Sequence, residues 1–195
     1  MIIGLDTETT DLEFGENGRL IEVCAAMYKP TGDLVEVKTW RINPECSMSP
    51  KAQAVHGIAL SDLIIEPTFL EVAEDIEKFL LQASGLVIHN ANFDCKFVGN
   101  QWKSMVGPSD LLRKHFDITC TMLGGRWATP MGAVPSLKAL AFACGVDYDE
   151  DKAHAAEYDV SVMMECFFYA SGRGVNFGYQ SSTLLGFDEK LMLKL

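Results

Sequence analysis

The stretch Ile2-Ile3-Gly4-Leu5-Asp6-Thr7-Glu8 sets an apolar run directly against two acids. A short apolar run bounded by charge reads as a buried strand, ending at Asp6. Alternate residues of a strand share a face, so Asp6 and Glu8 present their carboxylates side by side. Outward from this strand, Leu20–Tyr28 reads as a second strand and 34–42 as a third, joined by the turn Lys29-Pro30-Thr31-Gly32-Asp33. Connections this short imply an antiparallel meander. Helical periodicity follows. Thr68 and Glu71 form a capping box ahead of the apolar face Phe69, Val72, Ala73, Ile76, Phe79 and Leu80. Residues 85–89 and 115–120 read as strands, 92–105 as a helix, and Ser136 as the cap of another. Val160, Met163, Met164, Phe167 and Phe168 mark the last long helix, which ends near Gly172. Antiparallel strands followed by strand–helix alternation predict an α/β fold with helices on the sheet faces.

Two further groups of acids fall where a core would not place them. Asp94 lies in His89-Asn90-Ala91-Asn92-Phe93-Asp94, in the first turn of a helix that follows a buried strand. Taken alone it reads as an acid complementing a helix dipole. Asp159 lies in His154-Ala155-Ala156-Glu157-Tyr158-Asp159, at the margin of the apolar stripe of the last helix. A helix cap and a surface histidine would account for that pair. Taken together, the first strand, its neighbour and a covering helix can bring four carboxylates to one sheet edge. Such a group resists full ionisation, and divalent cations among the acids stabilise it. Oxygen ligands without cysteine suit Mg²⁺ or Mn²⁺, and two such ions serve in-line displacement at phosphorus.

Composition excludes several classes. The 195 residues carry 16 Lys and Arg against 27 Asp and Glu, a formal net charge of −11. That balance opposes tight non-specific duplex binding, which draws on many phosphate contacts from basic side chains. A small site that grips a strand end through metal ions is compatible with it. No CxxC pair or HxxxH spacing supports a zinc site, and the six cysteines read as buried thiols. No apolar run reaches the span of a membrane and the N-terminus lacks a basic signal region, so the expectation is a cytoplasmic protein without a membrane partner. Phosphate-cradling glycine loops and the G-x-S-x-G elbow are absent from the sequence.

The order D-x-E, then D, then H-x4-D resembles the DEDDh group of the DnaQ-like 3′→5′ exonucleases. Asp6-Thr7-Glu8-Thr9-Thr10 is similar to the first motif of that family, His89–Asp94 to the second and His154–Asp159 to the third. Asn43-Pro44, Ser49-Pro50, Ala54-Val55-His56-Gly57-Ile58 and Lys138-Ala139-Leu140 resemble segments between the motifs of its proofreading branch. The sister subgroup with Y-x3-D does not fit, because Ala155 occupies the tyrosine position. The resemblance implies an RNase H-like, five-stranded mixed sheet, three antiparallel strands then parallel ones, flanked by helices. It implies a nuclease domain over residues 1–172 and leaves 173–195 as an unassigned tail. The apolar end of that tail, Leu191–Leu195, reads either as a docking segment or as a folded-back helix. By position, Asp6, Glu8, Asp94 and Asp159 would ligate two Mg²⁺, with Mn²⁺ as a substitute. His154 would be the general base, a task that suits an imidazole near neutral pH. Thr7, Thr9, Leu12, His56 and Phe93 would contact the terminal nucleotides. The activity so implied is release of nucleoside monophosphates from single-stranded or frayed DNA ends in proofreading or repair, with a DNA polymerase as a partner. Its rivals are an RNA 3′-end-trimming exonuclease and a non-catalytic, polymerase-bound module.

Overall fold

The computed structural model describes residues 1–15 and 18–192. Strands β1 (Ile2–Thr9), β2 (Leu20–Tyr28) and β3 (Leu34–Arg41) form the expected antiparallel meander. Helices α1 (Pro50–His56), α2 (Leu60–Leu63) and α3 (Phe69–Leu80) lead to β4 (Gly85–Ile88). The chain continues through α4 (Ala91–Gln101), a wider π-type turn at Trp102–Val106 and α5 (Asp110–Arg113) into β5 (Phe116–Cys120). Then come α6 (Thr121–Gly124), α7 (Leu137–Cys144), α8 (Ala156–Ser171), β6 (Gln180–Ser182) and α9 (Glu189–Met192).

The sheet order is β3-β2-β1-β4-β5-β6, with β4 and β5 parallel to β1. The sequence predicted five strands; the sixth is β6, antiparallel to β5 through Phe116↔Ser182 and Ile118↔Gln180. Gln180-Ser181-Ser182 carries neither apolar alternation nor β-branched residues, so no strand pattern marks it. The first strand also outruns its expected end at Asp6. Thr7 and Thr9 pair with Val23 and Leu20 and carry β1 past the acids.

Two apolar layers cover the sheet. On one face, α3, α4 and the π-type turn pack Phe69, Ile76, Phe97 and Trp102 against Ile3 and Leu5 of β1. On the other, α7 and α8 pack Leu140, Val160, Met163 and Met164 against Cys24 and Ala26 of β2. Glu71 holds the start of α3, accepting from the Thr68 backbone N–H at 2.7 Å and from its hydroxyl at 2.8 Å. Gly4 lets α8 lie close on β1: a Cβ built there would meet Met164 Cγ at 2.6 Å. Residues beyond α8 join the first layer, where Leu184, Phe187 and Met192 are buried. Of Leu191–Leu195, the first two residues belong to α9; 193–195 lie outside the described residues. Among the described residues, no helix is long and apolar enough to cross a membrane.

Candidate active site

Strand parity decides which layer each acid meets. Gly4, Asp6 and Glu8 share the face of β1 that α8 covers, whereas Ile3, Leu5 and Thr7 face α4. Asp159 comes from the first turn of α8 and so approaches Asp6 and Glu8 from their own side. Asp94 comes from the first turn of α4, in the opposite layer, and accepts a hydrogen bond from Thr7 Oγ1 at 2.8 Å. The acids therefore converge at the C-terminal end of β1 from both faces of the sheet, at the edge where α/β sheets gather their sites.

They open into a cleft of about 480 Å³. Its walls contain Asp6, Glu8, Asp94, His154 and Asp159, together with Thr7, Thr9, Leu12, His56 and Phe93. Every site residue singled out in the sequence thus lines one cavity. The cleft also holds His89, Ser136 and Lys138, which the sequence reading named without placing them among the site residues, and Pro135, Leu137 and Tyr148, which it did not single out. His89 Nδ1 lies 3.0 Å from Thr121 Oγ1, and the imidazole also bonds the Pro135 carbonyl, tying β4 to α6 and to the wall ahead of α7. Burial pushes the His89 pKa down to about 4, so the ring is neutral. Glu22 is a further acid beside the site, directly opposite Glu8 across the β1–β2 pair and held by Arg41 Nε at 2.8 Å. Its signal was an acid inside the otherwise apolar Leu20–Met27 run; its neighbour is fixed by register, which the sequence alone does not print.

The electrostatics follow from crowding. Burial first, then the charges of Asp94, Glu8, Asp159 and Glu22, push the Asp6 carboxyl well above the usual range. Burial, then Glu22, Asp159 and Asp94, raise Glu8 to about 8. Asp94 is pushed up to about 7 by burial, with the Thr7 hydroxyl opposing the rise. Asp159 is raised by burial and partly relieved by the His154 backbone N–H, which donates to its Oδ2 at 3.2 Å. Among the described residues, none of these four acids has an ion pair. The buried Asp159 Oδ1 has no hydrogen-bond partner. An orphaned carboxylate oxygen beside three mutually repelling acids is the donor set that a hard divalent cation satisfies. Among the described residues, no three of these side chains already close around a single point, so cation binding would draw them inward.

Among the described residues three non-glycine residues have positive φ, and two of them, Asn90 and His154, stand at the site while Glu45 does not. Asn90, ahead of α4, has φ 85° and His154, ahead of α8, has φ 64°. Non-glycine residues rarely adopt this left-handed conformation, and both line the cleft. The strain turns the chain sharply into each acid-bearing helix. His56 Nδ1 accepts from the Ile58 N–H at 3.0 Å, which leaves the proton on Nε2. That buried nitrogen makes no well-formed hydrogen bond, although the Thr9 carbonyl lies near it.

A family model described as Exonuclease, of the RNase T type, matches residues 3–167. The epsilon subunit of DNA polymerase III from Rickettsia typhi is 31% identical over 170 residues, covering 86% of this chain and 72% of that protein. The corresponding subunit from Escherichia coli K12 is 30% identical over 177 residues, covering 87% and 71%. Among solved structures, exonuclease X in complex with 5′ overhanging duplex DNA superposes with a TM-score of 0.66 at 22% identity, over 90% of this chain and 95% of that one. The nuclease domain of 3′hExo, a DEDDh family member bound to rAMP, gives a TM-score of 0.73 at 16% identity, over 93% and 96%. With the family model spanning all three acidic motifs, the chain belongs to the DnaQ-like family of 3′→5′ exonucleases.

Proposed function

We propose that this exonuclease removes nucleoside monophosphates from the 3′ ends of single-stranded or frayed DNA, in proofreading or repair. The observation that carries the reading is the convergence of Asp6, Glu8, Asp94 and Asp159 on one cleft with His154 at its lip. In the reading, these four carboxylates hold two Mg²⁺ or Mn²⁺ ions. Cations held there would supply positive charge at the scissile phosphate and would acidify a water. His154 is exposed and takes the proton from that attacking water. Asp159 accepts from the backbone of His154, which ties the base to a carboxylate of the cluster. Thr7 and Thr9 fix the strand end of β1, while Leu12, His56 and Phe93 enclose the terminal nucleotides. DNA is favoured over RNA because the relatives at 30–31% identity are DNA polymerase subunits, and a DNA polymerase is the partner they suggest.

A time course on matched 5′-labelled single-stranded DNA and RNA, with Mg²⁺, Mn²⁺ or EDTA, tests the proposal. The expected result is a ladder shortening from the 3′ end, faster on DNA, and abolished by EDTA and by Asp6→Ala. Full activity in Asp6→Ala would remove the site assignment. Faster loss of RNA would make the chain an RNA-trimming enzyme.

A further inference from the structure

A second groove, of about 430 Å³, adjoins the cleft. Leu12, Asn90 and Phe93 line both cavities, so the two are neighbours with a shared wall. The new groove runs along one face of α4, where Asn92, Lys96 and Asn100 follow one another at four-residue intervals. Four residues of α-helix rise about 6 Å, so this stripe repeats at roughly the distance between successive phosphates of a stretched single strand. Its chemistry suits a polyanion. Lys96 is exposed and forms no ion pair among the described residues, whereas six of the other basic side chains are committed to acids. In a chain of net charge −11, Lys96 supplies the positive charge that lines this groove. Aromatic rings flank this stripe, Phe14 from the segment after β1 and Phe93 from α4 itself. Phe14 packs edge-on against Phe97 at 5.7 Å, and Phe93 lies 4.7 Å from the same ring. Phe14 and Phe93 are only half-buried and leave ring surface open to the groove. Glu13 also lines it, exposed beside Phe14, and repels phosphates toward the α4 side. A cationic and amide rail beside partly open aromatic rings is how proteins hold single strands without reading sequence.

We propose that this groove is a lane for the strand upstream of its terminal nucleotides, with phosphates tracking Asn92, Lys96 and Asn100 and bases resting toward Phe14 and Phe93. The inference rests on the reading of the cleft as a 3′-end site, and it makes substrate length a determinant of affinity.

The test is equilibrium binding of 5′-fluorescein single strands, from dinucleotide to decamer, to wild type and to Lys96→Gln in EDTA, beside cleavage of the same strands in Mg²⁺. Lys96 is exposed, so the substitution leaves the core untouched. In wild type, affinity should rise steeply between dimer and hexamer. Lys96→Gln should flatten that rise, weakening hexamer binding about fivefold more than dimer binding, and should reduce the slope of log affinity against log salt by about 0.7, the loss of one phosphate contact. Cleavage with an unchanged length dependence in Lys96→Gln overturns the lane and leaves the nuclease reading standing; α4 would then be a face for protein. Length-dependent binding through Lys96 with no cleavage of any strand would keep the lane and remove the hydrolytic reading. Neither binding nor cleavage would remove both.

Discussion

Asp6 shares its end of β1 with three other acids, and burial pushes the carboxyl of each above its usual range. A raised acid stabilises the fold only where it keeps its proton. For Glu8 the contribution is complete below the ordinary value of 4.5 and is lost as pH rises through about 8. Calorimetry in EDTA should therefore show Tm falling between about pH 5 and pH 8.5, and Mg²⁺ should flatten the curve. A Tm independent of pH in EDTA would mean that the acids do not crowd one another. Asp6→Asn at pH 8 in EDTA should raise stability by about 1–2 kcal/mol, about 3–6 °C in a chain of this size, while abolishing turnover. His154→Ala should lower kcat by about 10²–10⁴-fold with cation binding retained by titration calorimetry. Loss of cation binding instead would make His154 a ligand.

At the scale of elements, the site depends on how closely α8 lies on β1. Gly4 is the contact: Met164 Cγ and Sδ would stand 2.6 and 2.8 Å from a Cβ, and Val160 Cγ1 3.1 Å. Met164 and Val160 are both buried, so a larger residue must displace the Met164 side chain or push the helix. Gly4→Val should cost about 1–3 kcal/mol in denaturant melts and displace Asp159, reducing activity beyond the loss of folded protein. Activity proportional to the folded fraction would show that α8 repacks in place. Much of this was legible beforehand. The 3.6-residue stripe of Val160, Met163 and Met164 marks α8, the capping box marks α3, and the parity of Asp6 and Glu8 puts both acids on one face. Asp94 was not legible alone, because an acid in a first helical turn has a sufficient local reason to be there. Its membership in the cleft depends on β4 lying parallel beside β1. The pairing of Glu22 with Glu8 depends on strand register, and β6 is too short and too polar to carry a periodic signal.

Across the whole molecule, the segment after α8 closes one side of the fold. Phe177 meets Trp127 edge-on at 5.9 Å, β6 covers the edge of β5, and Leu184, Phe187 and Met192 complete the layer around α4. A truncation after Gly172 removes these buried side chains, each worth about 1.5–3 kcal/mol. It also exposes the β5 edge, so lower Tm and increased light scattering are expected. An unchanged melt would make the segment dispensable to the nuclease fold. The assembly of the site has a consequence for safety in the cell. Asp94 arrives from one layer of the molecule and Asp159 from the other, with Asp6 and Glu8 between them. On the proposed site assignment, a nascent or damaged chain that has lost either layer has lost a quarter of its carboxylate set, and with it the means to attack a phosphodiester. In that reading the enzyme stays disarmed until both halves of its interior have closed.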